Sequence, residues 1–369
     1  MASIKHSLLA CVAHSVTSAE EQQAMQKNVL LITDDYTELI CGKNQIPFLS
    51  KSGTDYQEGD TVFINEKGQT RLLYSCHKGS QTLFLTAKCN SNCIMCPYTS
   101  SYRQMATDYP ADLLHEMVRY LPEHTRHVVA TGGEPTLIGT HFFTVMQAVK
   151  ERFPNIVCLL LTNGRSFSIP EITAKAVHSL PKHTTAAIPI HAANADLHDR
   201  ITQSEGSFRQ TMHGIRNILH TDFHIEIRIV VFRENLQEML PIAKLICELP
   251  KRVFVVHFMA AEMCGNAAVN HERVWVDYPQ AFSACIPAID LLIQNGIDVE
   301  LYNFPLCSIP QAYWALYRQS ISDYKIHYAE QCNECSVRPV CGGVFASSLK
   351  YAETAMIPII GESHETQLL

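Results

Sequence analysis

The sequence TAKCNSNCIMCPYT, from Thr86 to Thr99, carries the clearest indication of how this chain folds and what it does. It places Cys89, Cys93 and Cys96 on one short loop, with the spacing Cys-x3-Cys-x2-Cys, after an apolar strand-like run. Three thiolates can hold three irons of a four-iron, four-sulfur cube, whereas a fully ligated cube takes four. One iron would keep an open position, as reactive metal sites do, although a zinc knuckle uses the same thiols.

A second motif follows in HVVATGGEP, where an apolar run from His127 to Ala130 leads into Gly132, Gly133, Glu134 and Pro135. Two glycines let the backbone approach a ligand closely. The Glu134 carboxylate can accept hydrogen bonds from an ammonium group. This run therefore predicts a strand that ends at a ligand-binding turn.

A third segment, LLLTNG from Leu159 to Gly164, ends the next strand-like run, and together the three segments resemble the radical S-adenosylmethionine (radical SAM) superfamily. The resemblance implies a [4Fe-4S] cluster on the cysteine loop rather than zinc. It also implies that the Gly-Gly-Glu-Pro motif holds the methionine amino group of S-adenosylmethionine. Thr162 and Asn163 would contact that cofactor's carboxylate or ribose, the alternative being a plain Asn-Gly turn. Met95 stands where the superfamily usually has an aromatic residue, and a thioether can still cover a ring.

Four further cysteines lie near the C-terminus, as Cys332-x2-Cys335-x5-Cys341 in CNECSVRPVCGGVF and Cys307 in YNFPLCSIP. Four thiolates from two loops suit a second, fully ligated iron–sulfur cluster, although zinc accepts the same ligands. The segment resembles the auxiliary-cluster segment of SPASM and twitch-type enzymes, which modify ribosomally made peptides. That resemblance implies one additional [4Fe-4S] cluster, and it alone ties Cys307 to the other three.

Between about residues 80 and 350, the segments CNSNCIMCPYT, TGGEP, FPLC, SISDYK and CNECSVRPVCGGVFASS resemble the HxsC family of His-Xaa-Ser system radical SAM maturases. The resemblance implies an enzyme that reductively cleaves S-adenosylmethionine to a 5′-deoxyadenosyl radical and modifies a ribosomally made His-Xaa-Ser repeat peptide. No catalytic residue is assigned beyond the cluster ligands. The implied partners are the precursor peptide, a second radical SAM maturase and a reductant such as flavodoxin or ferredoxin.

Two alternatives remain open at this point. One is a radical SAM enzyme that acts on a small molecule, of the molybdopterin-precursor cyclase type. That enzyme would end in Gly-Gly, whereas this sequence ends in ETQLL. The other is a catalytically silent partner that binds and presents the peptide.

Composition narrows the class of protein. The 369 residues allow two or three domains, and 47% hydrophobic with 18% charged residues is typical of soluble globular proteins. A formal charge of −7 gives no support for nucleic-acid binding, and no apolar stretch approaches the length needed to cross a bilayer. Seven of the fourteen cysteines fall into metal-ligand patterns, which favours a reducing cytoplasm over a disulfide protein.

From residue 80 onward, strand-like and helix-like runs alternate, which predicts an α/β fold with a parallel sheet. The resemblance implies a partial (β/α)6 radical SAM barrel, in which chemistry lies at the C-terminal ends of the strands. The strand-like runs are Thr82–Thr86, His127–Ala130, Ile156–Leu161, Thr185–Ile190, Ile225–Val231 and Arg252–Phe258. The helix-like runs include Pro110–Leu121, His141–Phe153, Ser207–Leu219, Leu236–Leu249 and Tyr278–Gln294.

We expect four regions along the chain. Residues 1–79 form a small N-terminal β-containing region, with a hairpin in DTVFINEKGQTRLLYS. This region either binds a leader peptide by adding the peptide as a strand or caps the barrel. Residues 80–275 form the radical SAM partial barrel, and residues 276–350 form the auxiliary iron–sulfur domain. Residues 351–369 form a C-terminal tail that ends in the polar, mobile run GESHETQLL.

Several other residues receive weaker expectations. Cys158, Cys247 and Cys285 lie in apolar surroundings and are expected to be buried in the core. His191 follows the fourth strand and either faces the cofactor or belongs to the core. Arg200 either pairs with a carboxylate or is a solvated loop arginine.

Overall fold

The computed structural model describes residues 7–33, 37–41, 44–47, 56–105, 109–251 and 253–361. Its strands are β1 Leu8–Ala13, β2 Val29–Ile32, β3 Thr37–Cys41, β4 Asn44–Pro47, β5 Thr61–Ile64, β6 Thr70–Tyr74, β7 Ser80–Thr86, β8 His127–Gly132, β9 Val157–Leu161, β10 His183–Pro189, β11 His224–Val231, β12 Val255–Ala260, β13 Asp298–Tyr302, β14 Ile326–His327 and β15 Val344–Phe345. Its helices are α1 Val16–Ala24, α2 Ser100–Met105, α3 Ala111–Arg119, α4 Thr140–Arg152, α5 Pro170–Ser179, α6 Ala195–Thr202, α7 Ser207–Leu219, α8 Met239–Cys247, α9 Asn266–Val269, α10 His271–Val274, α11 Tyr278–Gln294 and α12 Ala346–Ala352.

The chain divides into two units: one of residues 1–87, 107–161 and 175–184, the other of residues 88–106, 162–174 and 185–369. In the first unit, the N-terminal strands form a mixed sheet in the order β4-β3-β2-β1-β5-β6. β5 and β6 are antiparallel, with Ile64 opposite Thr70, which confirms the predicted hairpin. The sheet buries an apolar cluster that includes Ala10, Val12 and Leu30.

The first unit also holds three parallel strands. β7 pairs with β8, where Thr82 lies opposite Val129, and β8 pairs with β9, where His127 lies opposite Val157. In the helix α3, apolar residues recur three and four positions apart, so that one face of the helix can be buried. Leu113, Leu114, Met117 and Val118 are the residues of that face, and all of them are buried.

The second unit contains the parallel strands β10, β11, β12 and β13. Ile188 of β10 lies opposite Ile227 of β11, and Phe258 of β12 lies opposite Leu301 of β13. Side chains alternate between the two faces of a strand, so the isoleucines of β11 share one face while Glu226 and Arg228 share the other. The helices α8 and α11 pack against each other in this unit.

All six predicted barrel strands are present as β7 to β12, which confirms the expected α/β fold with parallel strands. The sixth is displaced by a few residues, because it spans Val255–Ala260, and Arg252 lies outside the described residues. β13 adds a further parallel strand beside β12. The sheet therefore continues directly into the region that carries Cys307.

The C-terminal region is built from 3-10 turns, the antiparallel pair β14 and β15, and the helix α12. α12 ends at Ala352, past the expected domain boundary at residue 350, and a 3-10 turn follows at Glu353–Ala355. The predicted mobile tail GESHETQLL lies, from residue 362 onward, outside the described residues.

Candidate active site

The cysteine loop in the second unit is held by backbone hydrogen bonds to the end of α6. Asn92 donates its backbone N–H to the Thr202 carbonyl at 2.8 Å, and Ile94 donates to the Ile201 carbonyl at 3.0 Å. Ile94 and Met95 are buried in an apolar cluster with Ile201 and its neighbours. The loop therefore has an apolar anchor between its second and third cysteines, and Met95 belongs to that anchor.

The three thiols of this loop lie close enough to influence one another. Burial, and then the charges of Cys89 and Cys96, raise the pKa of the Cys93 thiol to about 12. Each thiolate there raises the cost of ionising the next, so a bound cation would favour the ionised forms. Irons of an iron–sulfur cluster are cations of this kind and take thiolate ligands, so the donor set fits the group that the sequence implies.

The predicted Thr-Asn-Gly segment also lies in the second unit, and Asn163 contacts the cysteine loop. The Nδ2 of Asn163 lies 2.6 Å from Oδ1 of Asn90 and 3.9 Å from Sγ of Cys89. The Thr162 hydroxyl accepts a hydrogen bond from the Gly164 N–H at 3.1 Å, as in a tight turn. Asn163 thus lies beside Cys89, the first cysteine of the loop, whereas the hydrogen bond between Thr162 and Gly164 stays within the Thr-Asn-Gly turn itself.

The loop after β12 contributes residues that the sequence reasoning missed. Gly265 has φ +56°, and a Cβ there would lie 2.2 Å from the carbonyl oxygen of Pro97. Asn266 donates from Nδ2 to the Cys93 carbonyl at 3.1 Å. The available signal was a Gly-Asn pair at the C-terminal end of a predicted barrel strand, where functional loops gather.

The Gly-Gly-Glu-Pro motif lies in the first unit, at the end of β8. A Cβ on Gly132 would lie 2.2 Å from the Thr86 carbonyl oxygen, and Gly133 donates its N–H to the same oxygen at 2.8 Å. Thr86 is the last residue of β7, so the glycines let the two strand ends approach closely. This is a backbone role that a larger residue at position 132 would prevent.

Glu134 is fully buried and precedes a 3-10 turn that begins at Pro135. Its Oε1 accepts hydrogen bonds from the backbone N–H of Thr136 at 3.2 Å and from the Thr136 hydroxyl at 2.6 Å. Burial sets this carboxylate apart from an ordinary surface glutamate, because buried charges require polar partners. Its chemistry fits the recognition of an amino group.

The four C-terminal cysteines form a second group within the second unit. Burial, followed by the charges of Cys341, Cys332 and Cys335, raises the pKa of the Cys307 thiol to about 12. Leu306, the residue before Cys307, donates its N–H to the Sγ of Cys341 at 3.5 Å, so Cys307 lies near one of the three cysteines to which only a resemblance had tied it. In the described part of the chain, no three histidine, cysteine or acidic side chains are close enough to share a single metal ion.

The residues with weaker expectations are found mostly in structural positions. His191 is buried, and burial followed by the nearby His198 lowers its pKa well below the usual value, so it belongs to the core as a neutral ring. Arg200 is exposed on α6. Cys158 and Cys285 are fully buried as expected. Cys247 is only partly buried, because it lies in the last turn of α8.

Within the residues that the structure describes, no helix has both the length and the apolar character needed to cross a membrane. A comparison with curated proteins finds no match. The first of the similar solved structures is Streptococcus suis SuiB bound to its precursor peptide SuiA, with 12% identity and a TM-score of 0.48. The match covers 60% of this chain and 48% of that chain, so this chain spans about half the length of SuiB.

Two other solved structures show similar levels of likeness. One is anSMEcpe with bound AdoMet and the Kp18Cys peptide, with 16% identity, a TM-score of 0.47, and coverage of 60% of this chain and 63% of that chain. The other is a domain of a pyruvate-formate lyase-activating enzyme from Bacteroides vulgatus, with 13% identity and a TM-score of 0.37. The match covers 47% of this chain and 97% of that chain.

The family comparison adds a direct match. Residues 83–246 match the model of the radical SAM superfamily. The matched segment begins within β7, contains the cysteine loop and the Gly-Gly-Glu-Pro motif, and ends within α8. Its alternating helices and parallel strands are the architecture typical of a radical SAM barrel. Residues 83–246, which are less than half of the chain, are therefore similar to the radical SAM superfamily.

Proposed function

We propose that this chain is a radical SAM peptide maturase of the HxsC type, which modifies a ribosomally made peptide with His-Xaa-Ser repeats. The observation that carries the proposal is the group of three mutually interacting thiols, Cys89, Cys93 and Cys96, on one loop inside the segment that matches the radical SAM superfamily. The segments FPLC, SISDYK and CNECSVRPVCGGVFASS support the assignment to the HxsC type.

In this proposal, Cys89, Cys93 and Cys96 would hold a [4Fe-4S] cluster with an open position for S-adenosylmethionine. When bound, the cluster and S-adenosylmethionine supply the reductive cleavage and the radical chemistry, as cofactors generally do the hard chemistry. Glu134 would accept hydrogen bonds from the methionine amino group, while Gly132, Gly133 and Pro135 shape the turn around it. The burial of Glu134 and the close backbone approach at Gly132 support these proposed roles.

Thr162 and Asn163 would line the cofactor side of the cysteine loop. Asn163 is the better placed of the two, because its amide lies next to Cys89 and Asn90. Arg165, two residues further on, donates to the Ser91 hydroxyl at 3.0 Å and to the Ser204 hydroxyl at 2.9 Å. These contacts would orient the loop and keep its thiols in one arrangement.

The second thiol group, Cys307, Cys332, Cys335 and Cys341, would hold a second [4Fe-4S] cluster in the region of residues 276–350. Residues 1–79 would bind the leader part of the precursor peptide by adding a strand to a sheet edge. The edge strands of that sheet are β4 and β6. The further proposed partners are a second radical SAM maturase and a reductant such as flavodoxin or ferredoxin, in a cytoplasmic setting.

The test begins with anaerobic reconstitution by iron and sulfide, iron counting, and an assay for 5′-deoxyadenosine with dithionite, with and without a His-Xaa-Ser repeat peptide. We expect about eight irons per chain, as two four-iron clusters require, cofactor cleavage, and a change in the mass of the peptide. About four irons per chain, together with cleavage of S-adenosylmethionine, would mean that the C-terminal cysteines bind zinc or no metal.

The variant Cys93→Ala separates the proposal from a silent peptide-binding partner. We expect this variant to bind the peptide but to lose both 5′-deoxyadenosine formation and peptide modification. A wild-type protein that binds the peptide and never cleaves S-adenosylmethionine would support the silent partner. Cleavage that leaves every tested peptide unchanged would favour an enzyme that acts on a small molecule.

A further inference from the structure

The chain returns to the second thiol group after its last cysteine. Residues 356–361, which we call the strap, follow the 3-10 turn that ends at Ala355. Gln331 donates from Nε2 to the Met356 carbonyl at 3.1 Å. Ser336 donates both its backbone N–H and its hydroxyl to the Ile359 carbonyl, each at 2.9 Å. Met356 is only 3% exposed, so the strap is fixed at both of these points.

One backbone amide of the strap donates a hydrogen bond to a thiol of this group. The Ile359 N–H donates to the Sγ of Cys335 at 3.4 Å. Pro358, directly before it, has no N–H of its own. Because Ser336 donates to the Ile359 carbonyl, Ile359 is bound to the segment of Cys335 through both of its backbone groups.

A second thiol of the group accepts amide hydrogen bonds from other segments. The Sγ of Cys341 receives the N–H of Leu306 at 3.5 Å and that of Gly343 at 3.4 Å. Amide donors stabilise negative charge on sulfur, and hydrogen bonds to the sulfurs and exposure to solvent both set the potential of an iron–sulfur cluster. The strap thus supplies one of the three amide donors described around these thiols.

The outward side of the strap has a different character. Ile357 and Ile360 are 70% and 71% exposed, so their side chains contribute little to packing here. The strap contributes a backbone hydrogen-bond donor to this site, and its main chain covers the thiols. A change in the exposed side chains should therefore leave the thiol site intact, whereas loss of the amide should not.

We propose that residues 356–361 are a working part of the second metal site, which they close by donating the backbone amide of Ile359 to Cys335. A site with four thiolates and a protein cover has no open position for substrate, so it is suited to hold or transfer an electron. The redox part of this inference rests on the proposed second cluster. The closing contact itself does not, because it is made between the protein's own amide and thiol.

The first experiment isolates the second cluster by replacing Cys89, Cys93 and Cys96 with alanine in the full-length chain. Its midpoint potential is then measured by a redox titration that is followed by electron paramagnetic resonance. We expect Ile359→Pro, which removes one N–H donor, to lower the potential. The matched control Ile359→Ala changes the side chain and keeps the N–H, so its potential should equal that of the parent.

The second experiment needs no metal. Reduced, metal-free protein is treated with iodoacetamide, and the alkylation rate of each cysteine is followed by mass spectrometry, with Cys76 as the internal reference. Truncation after Ala355 should raise the rate of Cys335 several-fold relative to Cys76, because it removes the chain that covers this thiol. An unchanged rate of Cys335 after truncation would overturn the inference.

The two experiments also separate this inference from the proposed function. If the triple variant binds no iron, the second cluster and the electron-transfer role fail together, while faster alkylation would still support the closing contact. If iron is bound and Ile359→Pro leaves the potential unchanged, the second cluster stands and the role of the amide is refuted. A lower potential together with faster alkylation would support both.

Discussion

Asn266 donates from its side-chain Nδ2 to the backbone carbonyl of Cys93, the middle cysteine of the loop, at 3.1 Å. Its backbone N–H donates to the Cys96 carbonyl at 2.9 Å, and its Oδ1 accepts from the Ser100 N–H at 3.1 Å. Asn266 is only 7% exposed, so water cannot readily replace these bonds. Asn266, a single residue in the loop that follows β12, therefore satisfies three backbone groups in and beside the cysteine loop.

The first prediction concerns Asn266→Ala. It removes the side-chain partners of the Cys93 carbonyl and the Ser100 N–H, and a buried polar group left without a partner costs about 1–3 kcal/mol. We expect the free energy of unfolding to fall by about that amount and the cysteine loop to lose its iron faster. Urea unfolding and iron retention after anaerobic desalting measure the two effects.

A matched control for this variant is Asn295→Ala. The Nδ2 of Asn295 also donates to a backbone carbonyl, that of Leu291 at 2.8 Å, but it does so on the exposed end of α11. We expect this variant to retain iron as the parent does. If Asn266→Ala and Asn295→Ala lost iron at the same rate, Asn266 would have no special role in holding the loop.

The second prediction compares Gly265→Ala with Gly139→Ala. The two glycines share one backbone conformation, with φ +56° and +64° and ψ −129° in both, where an L-residue costs about 1–3 kcal/mol. A Cβ on Gly139 would meet no atom within 4 Å, whereas a Cβ on Gly265 would lie 2.2 Å from the Pro97 carbonyl oxygen. Gly265→Ala must therefore also displace the chain just after Cys96.

Thermal unfolding and iron retention distinguish these two effects. We expect both variants to lower the melting temperature, with the larger drop in Gly265→Ala. Only Gly265→Ala should release iron from the cysteine loop. Equal losses in the two variants would mean that backbone strain alone is responsible and that the close approach to Pro97 is unimportant.

The regular elements of this fold were predictable because their sequence periods are long and undisturbed. The predicted helices Ser207–Leu219 and Tyr278–Gln294 match α7 and α11 at both ends. The end of the third barrel strand was located correctly, because the predicted run Ile156–Leu161 and β9 both end at Leu161, before the Thr-Asn-Gly segment. β8 continues two residues past its predicted end, to Gly132. These are local signals, since each is contained in one continuous segment of sequence.

The parts that were not predicted depend on contacts between segments that are distant in the sequence. The hydrogen bonds of Asn266 to the cysteine loop and those of the strap to Cys335 leave no periodic pattern. Cys247 looked like a core residue from its apolar neighbours, but a position in the last turn of a helix left it partly exposed. Local composition could not reveal which residues face one another across the fold.

The third prediction tests the Gly-Gly-Glu-Pro motif through Gly132→Ala. A methyl group at this position would lie 2.2 Å from the Thr86 carbonyl oxygen, so the ends of β7 and β8 would have to separate. We expect S-adenosylmethionine binding to the reconstituted protein, measured by calorimetry, to weaken at least tenfold, which is about 1.4 kcal/mol.

The control for Gly132→Ala is Gly139→Ala, in the same unit. Gly139 has φ +64°, but a Cβ there would meet nothing within 4 Å. We expect this variant to lose some stability through backbone strain and to bind S-adenosylmethionine as the parent does. Equal affinities in the two variants would count against a cofactor role for the turn after β8.

The fourth prediction concerns Glu226, on the polar face of β11. Burial alone would raise the pKa of its carboxyl, but His257, whose Nδ1 lies 3.0 Å away, and Arg228, whose Nε lies 2.5 Å away, more than offset burial and lower the pKa. The folded state therefore favours the ionised form. Its contribution to stability is fully present above the ordinary glutamate pKa of 4.5 and is lost as the pH falls below that value through the lowered pKa.

Glu226→Gln should therefore destabilise the protein most near neutral pH. We expect a loss of about 1–3 kcal/mol at pH 7, because the variant removes the negative charge that accepts the hydrogen bond of Arg228 Nε. The gap to the parent should narrow as the pH falls below about 4, where the carboxyl of the parent takes up its proton. Urea unfolding at the two pH values measures the gap. The exposed Glu66→Gln serves as control, and a Glu226→Gln gap that is equal at both pH values would show that the ionised carboxylate does not stabilise this sheet.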